Sequence, residues 1–312
     1  MTCPHFGVCG GCSIQNLPYE DQLKKKERLV QDALIDIPVE NWSPILPSPE
    51  IQYYRNKMEF SFGDERDVAI LKKEPVGSSG QVHLGLHPKG RFNLVTPTPE
   101  CRLISLEAQK IIEIISEWAT QQQISSYLRH KNQGILRHVV IREGKNTAER
   151  MVNLVSTSQL SEIEILSDAL RNSGVPITTF LWTVHDGLSD VARGPQTKII
   201  WGEGFIKERV RTVSFRVAPF SFMQTNTHAS EKMIDLLKSW LSSPSPTTPK
   251  EESVLFDLYC GAGTIALNLA DQFEKVMGIE SEPSAVSSAR ETARFNNIHH
   301  AEFVEGRVDK YQ

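Results

Sequence analysis

Up to about residue 215, the chain alternates hydrophobic and polar residues in short stretches that are separated by turns rich in Gly, Ser and Pro. Alternation with a period of two is typical of β-strands that bury one face. Longer segments with apolar residues three or four positions apart interrupt these strands, and that spacing indicates amphipathic helices. We therefore predict that residues 1–215 form a β-rich α+β domain.

The positions of the predicted elements follow from these patterns. The strands lie in YYRNKMEFSF at 53–62, VAILKK at 68–73, VHLGLH at 82–87, ILRHVVIRE at 135–143, MVNLVSTS at 151–158 and TTFLWTVHD at 178–186. The helices lie at 17–36, 103–121 and 160–173. In the first helix, Leu23, Leu29 and Val30 share one side and lysines take the other, so we expect this helix to pack on the second domain.

The pattern changes after SSPSPTTPKEE at 242–252, a segment whose Pro, Ser and Thr content is typical of a linker. An apolar run, SVLFDLYC, then leads into the turn GAG, and a helical spacing follows. A second strand, VMGIE, a long helix and a third strand, AEFVEG, come next. This order is typical of the first half of a doubly wound, Rossmann-like α/β sheet with buried parallel strands. We assign residues 216–312, with a helix at 227–241, to this domain.

The glycine turn is the candidate cofactor site, because ligands of such sheets bind at the carboxyl ends of the strands. Gly261, Gly263 and Thr264 form the loop there. Glu280, at the end of the second strand, can accept hydrogen bonds from ribose hydroxyls. Both NAD and S-adenosylmethionine fit this loop. Asp257 favours S-adenosylmethionine because a carboxylate attracts its cationic amino-acid end, although the same side chain can instead satisfy the turn.

Four of the five cysteines form a three-plus-one set, with Cys3, Cys9 and Cys12 close together and Cys101 far downstream. Bare cysteines rarely gather near a chain terminus, whereas a shared metal centre explains the grouping. The two glycines of CPHFGVCGGC let neighbouring sulfurs face one centre. The odd cysteine count and the lack of a hydrophobic signal segment disfavour disulfides and predict a cytoplasmic protein. Spacing alone leaves zinc and iron-sulfur equally open.

Composition excludes a protein that binds nucleic acid through its overall charge, because the formal net charge is -4. Positive charge is local instead. It supplies candidate RNA-binding residues in the first domain, which are Arg55, Lys57, Arg129, Lys131, Arg137 and Arg142. These side chains either neutralise phosphates or belong to a solvated strand and turn.

Three groups of motifs together resemble the uracil-C5 (5-methyluridine) RNA methyltransferases of the RumA and TrmA group. CPHFGVCGGC with the later PECRL resembles the iron-sulfur branch of that family, and YRNKMEFSF resembles its central-domain strand. SFMQTN with DLYCGAGT resembles its S-adenosylmethionine site. The resemblance covers nearly the whole chain. It implies a [4Fe-4S] cluster, structural in role, that is held by Cys3, Cys9, Cys12 and Cys101.

The resemblance also implies a reaction. In that family a cysteine thiolate adds to carbon 6 of uracil, carbon 5 takes the methyl group, and a base then removes the carbon 5 proton. Gln224, Tyr259 and Glu280 match family positions that bind S-adenosylmethionine. The family's nucleophilic cysteine and general-base glutamate would lie beyond Gln312, so we expect this chain to be inactive alone. Cys260 matches a non-catalytic position and is expected to be a small buried residue.

The resemblance therefore predicts a C-terminally truncated RNA (uracil-5-)-methyltransferase with S-adenosylmethionine and a [4Fe-4S] cluster as cofactors. Its expected partner is RNA, with 23S ribosomal RNA preferred over transfer RNA, and neither a membrane nor DNA is expected. A non-catalytic iron-sulfur module that binds RNA and an NAD-dependent redox protein are the alternatives. An incomplete parallel sheet would leave an exposed edge and apolar surface.

Overall fold

Seven strands between Lys57 and Trp201 form one mixed sheet. They are β1 (Lys57–Asp64), β2 (Val82–Leu86), β3 (Thr96–Pro97), β4 (Leu136–Glu143), β5 (Arg150–Ser156), β6 (Thr179–Val184) and β7 (Gln196–Trp201). In the computed structural model, which describes residues 3–77, 79–241 and 253–310, their order is β3-β2-β1-β4-β5-β6-β7. Neighbours run antiparallel except β5 and β6, which are parallel.

The two faces of this sheet differ in chemistry. Met58 and Phe60 of β1 belong to the large hydrophobic core on one face, which the helices α3 (Leu106–Gln121) and α4 (Ile163–Asn172) complete. Successive side chains of a strand point to opposite sides, so Ser61 of β1 lies on the other face. On β1 this second face carries the polar side chains of Lys57, Glu59 and Ser61, whereas Met151 of β5, opposite Arg142, belongs to a second hydrophobic core.

Helix α3 begins at Leu106, inside the helix that the sequence predicts at 103–121. The hydroxyl oxygen of Ser105 accepts a hydrogen bond from the amide of Ala108 at 3.0 Å, which is an N-cap contact worth about 1 kcal/mol. The same hydroxyl donates to the buried carboxylate of Glu143. Cys101 lies in the loop that leads into this helix.

The segment at 68–73 is helical, and its prediction as a strand is wrong. It lies in α2 (Glu65–Lys72). The carboxylate of Asp64 caps this helix by accepting a hydrogen bond from the amide of Arg66 at 3.0 Å, and Lys73 ends it with a φ of 59°. A short apolar run fits a strand or a helix equally well. Here the N-cap contact of Asp64 marks the start of a helix.

Helix α1 (Tyr19–Ala33) forms where a helix is predicted, but none of its residues is buried. Leu29 is 60% exposed. Tyr19 attaches the helix to the next segment, because its hydroxyl oxygen accepts a hydrogen bond from the amide of Ser48 at 2.8 Å. Leu23 on the same side is half-buried, and no residue of α1 belongs to either hydrophobic core.

A β-hairpin that was not predicted from the sequence contributes residues to the second hydrophobic core. It consists of β8 (Ile206–Val210) and β9 (Val213–Val217), which pair antiparallel. Ile206 and Phe215 are buried in the same cluster as the side chains of the glycine-turn region. The domain boundary predicted after residue 215 therefore falls inside β9, whose hairpin packs with the C-terminal part of the chain.

Three parallel strands form the second sheet. These strands and the helices beside them are α5 (Thr227–Leu241), β10 (Val254–Leu258), α6 (Thr264–Leu269), β11 (Lys275–Glu280), α7 (Pro283–Phe295) and β12 (Ala301–Glu305). The order β10-β11-β12 is the predicted first half of a doubly wound sheet. Strand β10 lies at the edge, where Phe256 is 59% exposed. The expected apolar edge is present, whereas the expected burial of β10 is wrong.

The predicted linker at 242–252 lies outside the described residues. Among the residues that are described, no helix combines the length and apolar character needed to cross a membrane.

Candidate functional site

The glycine turn follows β10 and opens α6. The backbone amides of Tyr259 and Cys260 both donate to the carbonyl oxygen of Ile279, at 2.9 and 3.1 Å, and so tie the turn to β11. Gly261 and Gly263 have φ angles of 54° and 80°, in the left-handed region that favours glycine. A Cβ at Gly263 would also lie 3.0 Å from an aromatic ring of β12. The turn therefore requires the glycines that the sequence places there.

Glu280 ends β11, and its carboxylate lies against the glycine turn. It accepts hydrogen bonds from the amides of Gly261 at 3.1 Å and Glu282 at 2.9 Å. Desolvation acts to raise the pKa of Glu280, but these hydrogen bonds outweigh it and hold the pKa below its ordinary value. The carboxylate is therefore ionised at neutral pH and can accept further hydrogen bonds from ligand hydroxyls.

Asp257 lies in β10 and faces the start of α6. Its carboxylate accepts a hydrogen bond from the amide of Ala266 at 3.2 Å, beside Thr264, where the helix begins. This is the turn-satisfying contact that the sequence left as one of two alternatives. Burial raises the pKa of Asp257.

Two aromatic rings stand exposed beside the turn. Tyr259 is 76% exposed and Phe222 is 67% exposed. Phe222 lies next to Gly261, because a Cβ built on that glycine would be 3.9 Å from Phe222 Cδ1. Exposed rings at a ligand loop can cover a planar ligand group. Tyr259 was predicted from the sequence and Phe222 was not, although Phe222 lies in the SFMQTN motif and Tyr259 in DLYCGAGT.

The first domain holds the segment that carries Gln224. The side-chain amide of Asn56 donates to the carbonyl oxygen of Gln224 at 2.8 Å and to the hydroxyl of Thr227 at 2.9 Å. The backbone amide of Asn56 donates to the carbonyl of Thr225 at 2.9 Å. The backbone of Gln224 is thus fixed while its side chain stays exposed. Asn56 belongs to the YRNKMEFSF motif, but nothing local in that motif reveals this role.

Two of the predicted RNA-binding arginines are buried instead. Arg142 and Arg137 are each 2% exposed. The Nε of Arg142 donates to the carbonyl of Pro219 at 2.9 Å, and its guanidinium also bonds the carbonyl of Ser221. Arg137 donates to the carbonyl of Gly187 at 2.6 Å. This corrects the prediction that they contact RNA, because both guanidinium groups hold loops in place.

The other basic candidates keep their charged ends at least partly exposed. Lys57 pairs with Glu59 at 2.5 Å, and Arg129 pairs with Asp190 at 3.0 Å. The pair of Lys57 is partly exposed and contributes little to stability, whereas the carboxylate of Asp190 beside Arg129 is only 15% exposed. The remaining candidates for RNA contact are Arg55, Lys57, Arg129 and Lys131.

Cys260 is the cysteine that adjoins the glycine turn, and it is buried in the second core. Burial, together with the charges of Asp257 and Glu280, raises the pKa of its thiol to about 12. A thiol with so high a pKa is almost wholly protonated at neutral pH and is a poor nucleophile. The expectation that Cys260 is a small buried residue is confirmed.

Four thiols line one small cavity between the N-terminal segment and the loop before α3, those of Cys3, Cys9, Cys12 and Cys101. The amide of Gly11 donates to the sulfur of Cys9 at 3.2 Å, a contact that is typical of sulfur ligands in metal centres. The amide of Gly10 donates to the carbonyl of His87 at 3.0 Å, and a Cβ on Gly10 would lie 2.6 Å from that oxygen. Only glycine fits at position 10, and its contact holds the cysteine segment against the loop that follows β2.

Burial raises the pKa of the thiols of Cys9 and Cys12 and raises that of Cys101 to about 11. Thiols buried in this way ionise only beside a cation or a metal. Within residues 3–77, 79–241 and 253–310, however, no group of three or more His, Cys, Asp or Glu is arranged to hold a metal ion. The four thiols therefore line the same cavity, but they are not arranged as the ligands of one metal ion.

Comparison with known proteins agrees with this architecture. The family described as tRNA (Uracil-5-)-methyltransferase matches residues 152–309. An uncharacterized RNA methyltransferase of Clostridium tetani is 35% identical over 312 residues, which cover 98% of this chain and 64% of that protein. An uncharacterized RNA methyltransferase of Chlamydia muridarum is 33% identical over 316 residues, covering 97% of this chain and 75% of that protein.

A solved structure gives the same result. The Pyrococcus abyssi tRNA (uracil-54, C5)-methyltransferase in complex with S-adenosyl-L-homocysteine matches with a TM-score of 0.73 and 28% identity, covering 97% of this chain and 66% of that one. The chain thus spans 64% of the length of the Clostridium tetani relative and has the mixed α/β fold of a methyltransferase. By the family match and by these identities, the chain belongs to the uracil-C5 RNA methyltransferase family.

Proposed function

We propose that this chain forms the cofactor-binding and RNA-recognition parts of an enzyme that transfers a methyl group from S-adenosylmethionine to carbon 5 of uridine in RNA. The observation that carries the proposal is the hydrogen bond between Glu280 and the amide of Gly261, where β10 and β11 end. It sets an ionised acceptor for ribose hydroxyls against a turn that can receive a ligand. Membership in the family supplies the reaction.

In this proposal, several residues of the chain share the binding of the cofactor. Glu280 accepts the two ribose hydroxyls, Tyr259 packs beside the adenosine, and the exposed amide of Gln224 bonds the methionine end. Asn56 and Arg142 fix the segment around Gln224 and so set where its amide points. When bound, S-adenosylmethionine supplies an electrophilic methyl group.

Methylation at carbon 5 requires a thiolate that adds to carbon 6 and a base that removes the carbon 5 proton. Cys260 is buried with its pKa raised to about 12, and the other four cysteines line the N-terminal cavity. We therefore assign both roles to sequence outside this chain, which spans 64% of its Clostridium tetani relative. The chain by itself is expected to bind the cofactor without turnover.

Binding of the cofactor tests the proposal most directly. Isothermal titration calorimetry should show binding of S-adenosylmethionine in preference to NAD. Glu280→Gln should weaken binding about tenfold or more, because hydrogen bonds to a charged group contribute about 1.5–3 kcal/mol. Glu274→Gln, an exposed glutamate just before the other end of β11, should leave the affinity unchanged. Tight NAD binding without a response to S-adenosylmethionine would overturn the assignment.

The four thiols of the N-terminal cavity are proposed to hold a [4Fe-4S] cluster with a structural role. The donor set fits, since four thiols share one cavity and one sulfur accepts a backbone N–H. Protein purified without oxygen should contain about four iron atoms per chain, and Cys260→Ser should leave this number unchanged. Zinc in a one-to-one ratio without iron would refute the cluster.

The RNA is proposed to be large-subunit ribosomal RNA, with transfer RNA as the second candidate. Support for the second candidate comes from the descriptions of the matched family and of the Pyrococcus abyssi protein, which both name tRNA. Filter binding of a 23S ribosomal RNA fragment and of a tRNA transcript separates them. Tighter binding of the tRNA would overturn the ribosomal assignment.

A further inference from the structure

The loop that follows β2 presents an aromatic ring to solvent. Phe92 is 69% exposed, whereas Leu94 and Val95, just after it, are buried and anchor the loop. The amide of Arg91 donates to the carbonyl of Pro88 at 3.0 Å, and the amide of Leu94 donates to the carbonyl of Arg91 at 3.2 Å. A single exposed apolar side chain needs no explanation by itself, so the groups around the ring decide what it can bind.

The loop before β4 contacts this ring through Arg129. The Nη1 of Arg129 donates to the carbonyl of Phe92 at 2.9 Å, and its Cζ lies 5.4 Å from the centre of the ring. Asp190 pairs with Arg129 at 3.0 Å and with His138 at 3.1 Å, and all three side chains line one polar cavity of about 320 Å³. The guanidinium is therefore held from both sides. It fixes the position of Phe92 while most of the ring stays in solvent.

Positive charge surrounds the ring. Neither the segment at 86–98 nor the segment at 121–142 contains an acidic residue. Three further cations on these two loops are exposed, namely Lys89, Arg91 and Lys131. An exposed aromatic ring among cations is the combination that binds single-stranded nucleic acid, because the ring stacks on a base and the cations follow the phosphates.

We propose that Phe92 stacks on one unpaired base of the RNA substrate, while Lys89, Arg91 and Lys131 neutralise the phosphates beside that base. The proposal rests on the proposed function, which supplies RNA as the partner. Every base has an aromatic face, so this contact tolerates any sequence. A base inside a duplex is stacked on its neighbours and offers no free face. The contact therefore requires a single-stranded segment, such as a loop or a bulge.

A path for the strand leads from this loop toward the cofactor segment. His87, at the start of the loop, lines a cavity of about 380 Å³ together with Arg55, Lys57 and Thr225. Thr225 belongs to the SFMQTN motif, and the two cations can neutralise phosphates along the way. One nucleotide of a strand can therefore be held at Phe92 while another nucleotide approaches the cofactor.

The test measures binding of a labelled, mixed-sequence RNA strand of about 16 nucleotides to the 312-residue chain by fluorescence anisotropy. The same strand annealed to its complement is measured beside it. Phe92→Ala should weaken binding of the single strand at least about fivefold, as loss of one stacked base does, and leave binding of the duplex unchanged. Phe92→Trp, which keeps an aromatic ring, should retain the affinity. Phe256→Ala, at an exposed phenylalanine of β10, serves as the matched control.

The salt dependence separates stacking from charge. Phe92→Ala should lower the affinity for the single strand without changing the slope of its logarithm against the logarithm of the salt concentration. Lys131→Gln should reduce that slope by about 0.7, the value for one phosphate contact on a single strand. Lys198→Gln, at an exposed lysine of β7 on the far edge of the sheet from β2, should change neither the slope nor the affinity.

Three results would overturn the proposal: unchanged binding of the single strand by Phe92→Ala, an equal loss of duplex binding, or no binding of the strand by the unsubstituted chain. An affinity of Phe92→Trp as low as that of Phe92→Ala would do the same. Circular dichroism checks that each variant is folded. Titration of the unsubstituted chain with S-adenosylmethionine tests the methyltransferase assignment separately, so either proposal can fail alone.

Discussion

Strands β5 and β10 are both rich in apolar residues, yet they have opposite environments. All seven residues of β5 are buried, whereas β10 exposes every second side chain. Strand β5 lies between β4 and β6 with helices over one face of the sheet, while β10, within the described residues, pairs with β11 alone. The burial of a strand is thus set by its neighbours more than by its own hydrophobicity.

The glycine turn and the segment of Gln224, the two parts of the proposed cofactor site, also differ in how they are supported. The glycine turn belongs to the smaller sheet, but the segment of Gln224 is held by residues of the larger one. Asn56 and Arg142 are buried, and both donate to backbone carbonyls of this segment. The well-packed region thereby positions a part of the proposed cofactor site that the smaller sheet could not fix by itself.

The largest expected effect concerns charge buried in the larger sheet. Glu143 accepts hydrogen bonds from Arg150 at 2.9 Å and Lys145 at 2.8 Å. Glu143→Gln should lower the free energy of unfolding at pH 7 by about 3 kcal/mol or more, because it leaves buried cations without their counter-charge. Glu302→Gln, which breaks an exposed pair on β12, should cost less than about 1 kcal/mol. Urea denaturation measures both variants. Equal losses of unfolding free energy would contradict the difference between the buried and the exposed ion pairs.

The pH dependence of the same variant gives a second check. Desolvation acts to raise the pKa of Glu143, but the charge of Lys145 and the contacts of Ser105 and Arg150 outweigh it and hold the pKa below its ordinary value of 4.5. Its contribution to stability is therefore complete above pH 4.5 and disappears as the pH falls through the lowered pKa. The difference in stability between the parent chain and Glu143→Gln should narrow over that range. A constant difference would show that the charge of Glu143 does not stabilise the fold.

A matched pair of leucines compares the two strands directly. Leu154 of β5 is 0% exposed, and Leu258 of β10 is 48% exposed. Leu154→Ala should cost about 3 kcal/mol, because it leaves a cavity in the core. Leu258→Ala should cost less than about 1 kcal/mol. Urea denaturation measures both, and a larger loss at Leu258 would mean that β10 is covered in solution.

Asn56→Ala should separate the two regions functionally. It removes two hydrogen bonds to the segment of Gln224, so we expect a loss of about 2 kcal/mol in unfolding free energy. Affinity for S-adenosylmethionine should fall as well, because the amide of Gln224 is no longer held in place. Asn172→Ala, at an exposed position of α4, serves as the control. Lower stability with unchanged affinity would limit Asn56 to a structural role.

The smallest expected effect lies on the exposed edge strand. Phe256→Lys in β10 should change the free energy of unfolding by no more than about 0.5 kcal/mol, because this side chain is largely exposed. It should also reduce self-association in light scattering, since a charge interrupts an apolar edge. A large loss of stability would contradict the exposure of β10.

Local patterns predicted most of the fold. Helices α3, α4, α5 and α7 and the order of β10, β11 and β12 follow from periodicity and from the glycine turn. The segment at 68–73 was misassigned because a short apolar run has no diagnostic period. The hairpin of β8 and β9 was missed although its buried residues alternate, and only its packing identifies it as part of the second core.

The candidate site divides in the same way. Glu280, Gly261 and Gly263 could be identified from the sequence because one turn and the end of the next strand bring them together. Asn56 and its partner Gln224 are separated by 168 positions, and no local pattern records such a contact. The basic residues were over-predicted as RNA contacts. The sequence does not tell whether an arginine side chain faces solvent or donates to a loop carbonyl, and Arg137 donates to the carbonyl of Gly187.

By itself, the sequence determined the elements with strong local signals: the glycine turn with its terminal acid, the main helices, the cysteine set and the resemblance to a methyltransferase family. The tertiary structure alone decided which arginines are buried, how the Gln224 segment is held, and that His138 and Asp190 meet in one cavity. The physical reason is the separation along the chain between the residues that interact. Backbone conformation and capping act over a few residues, whereas burial and buried hydrogen bonds depend on partners that only the folded chain brings together.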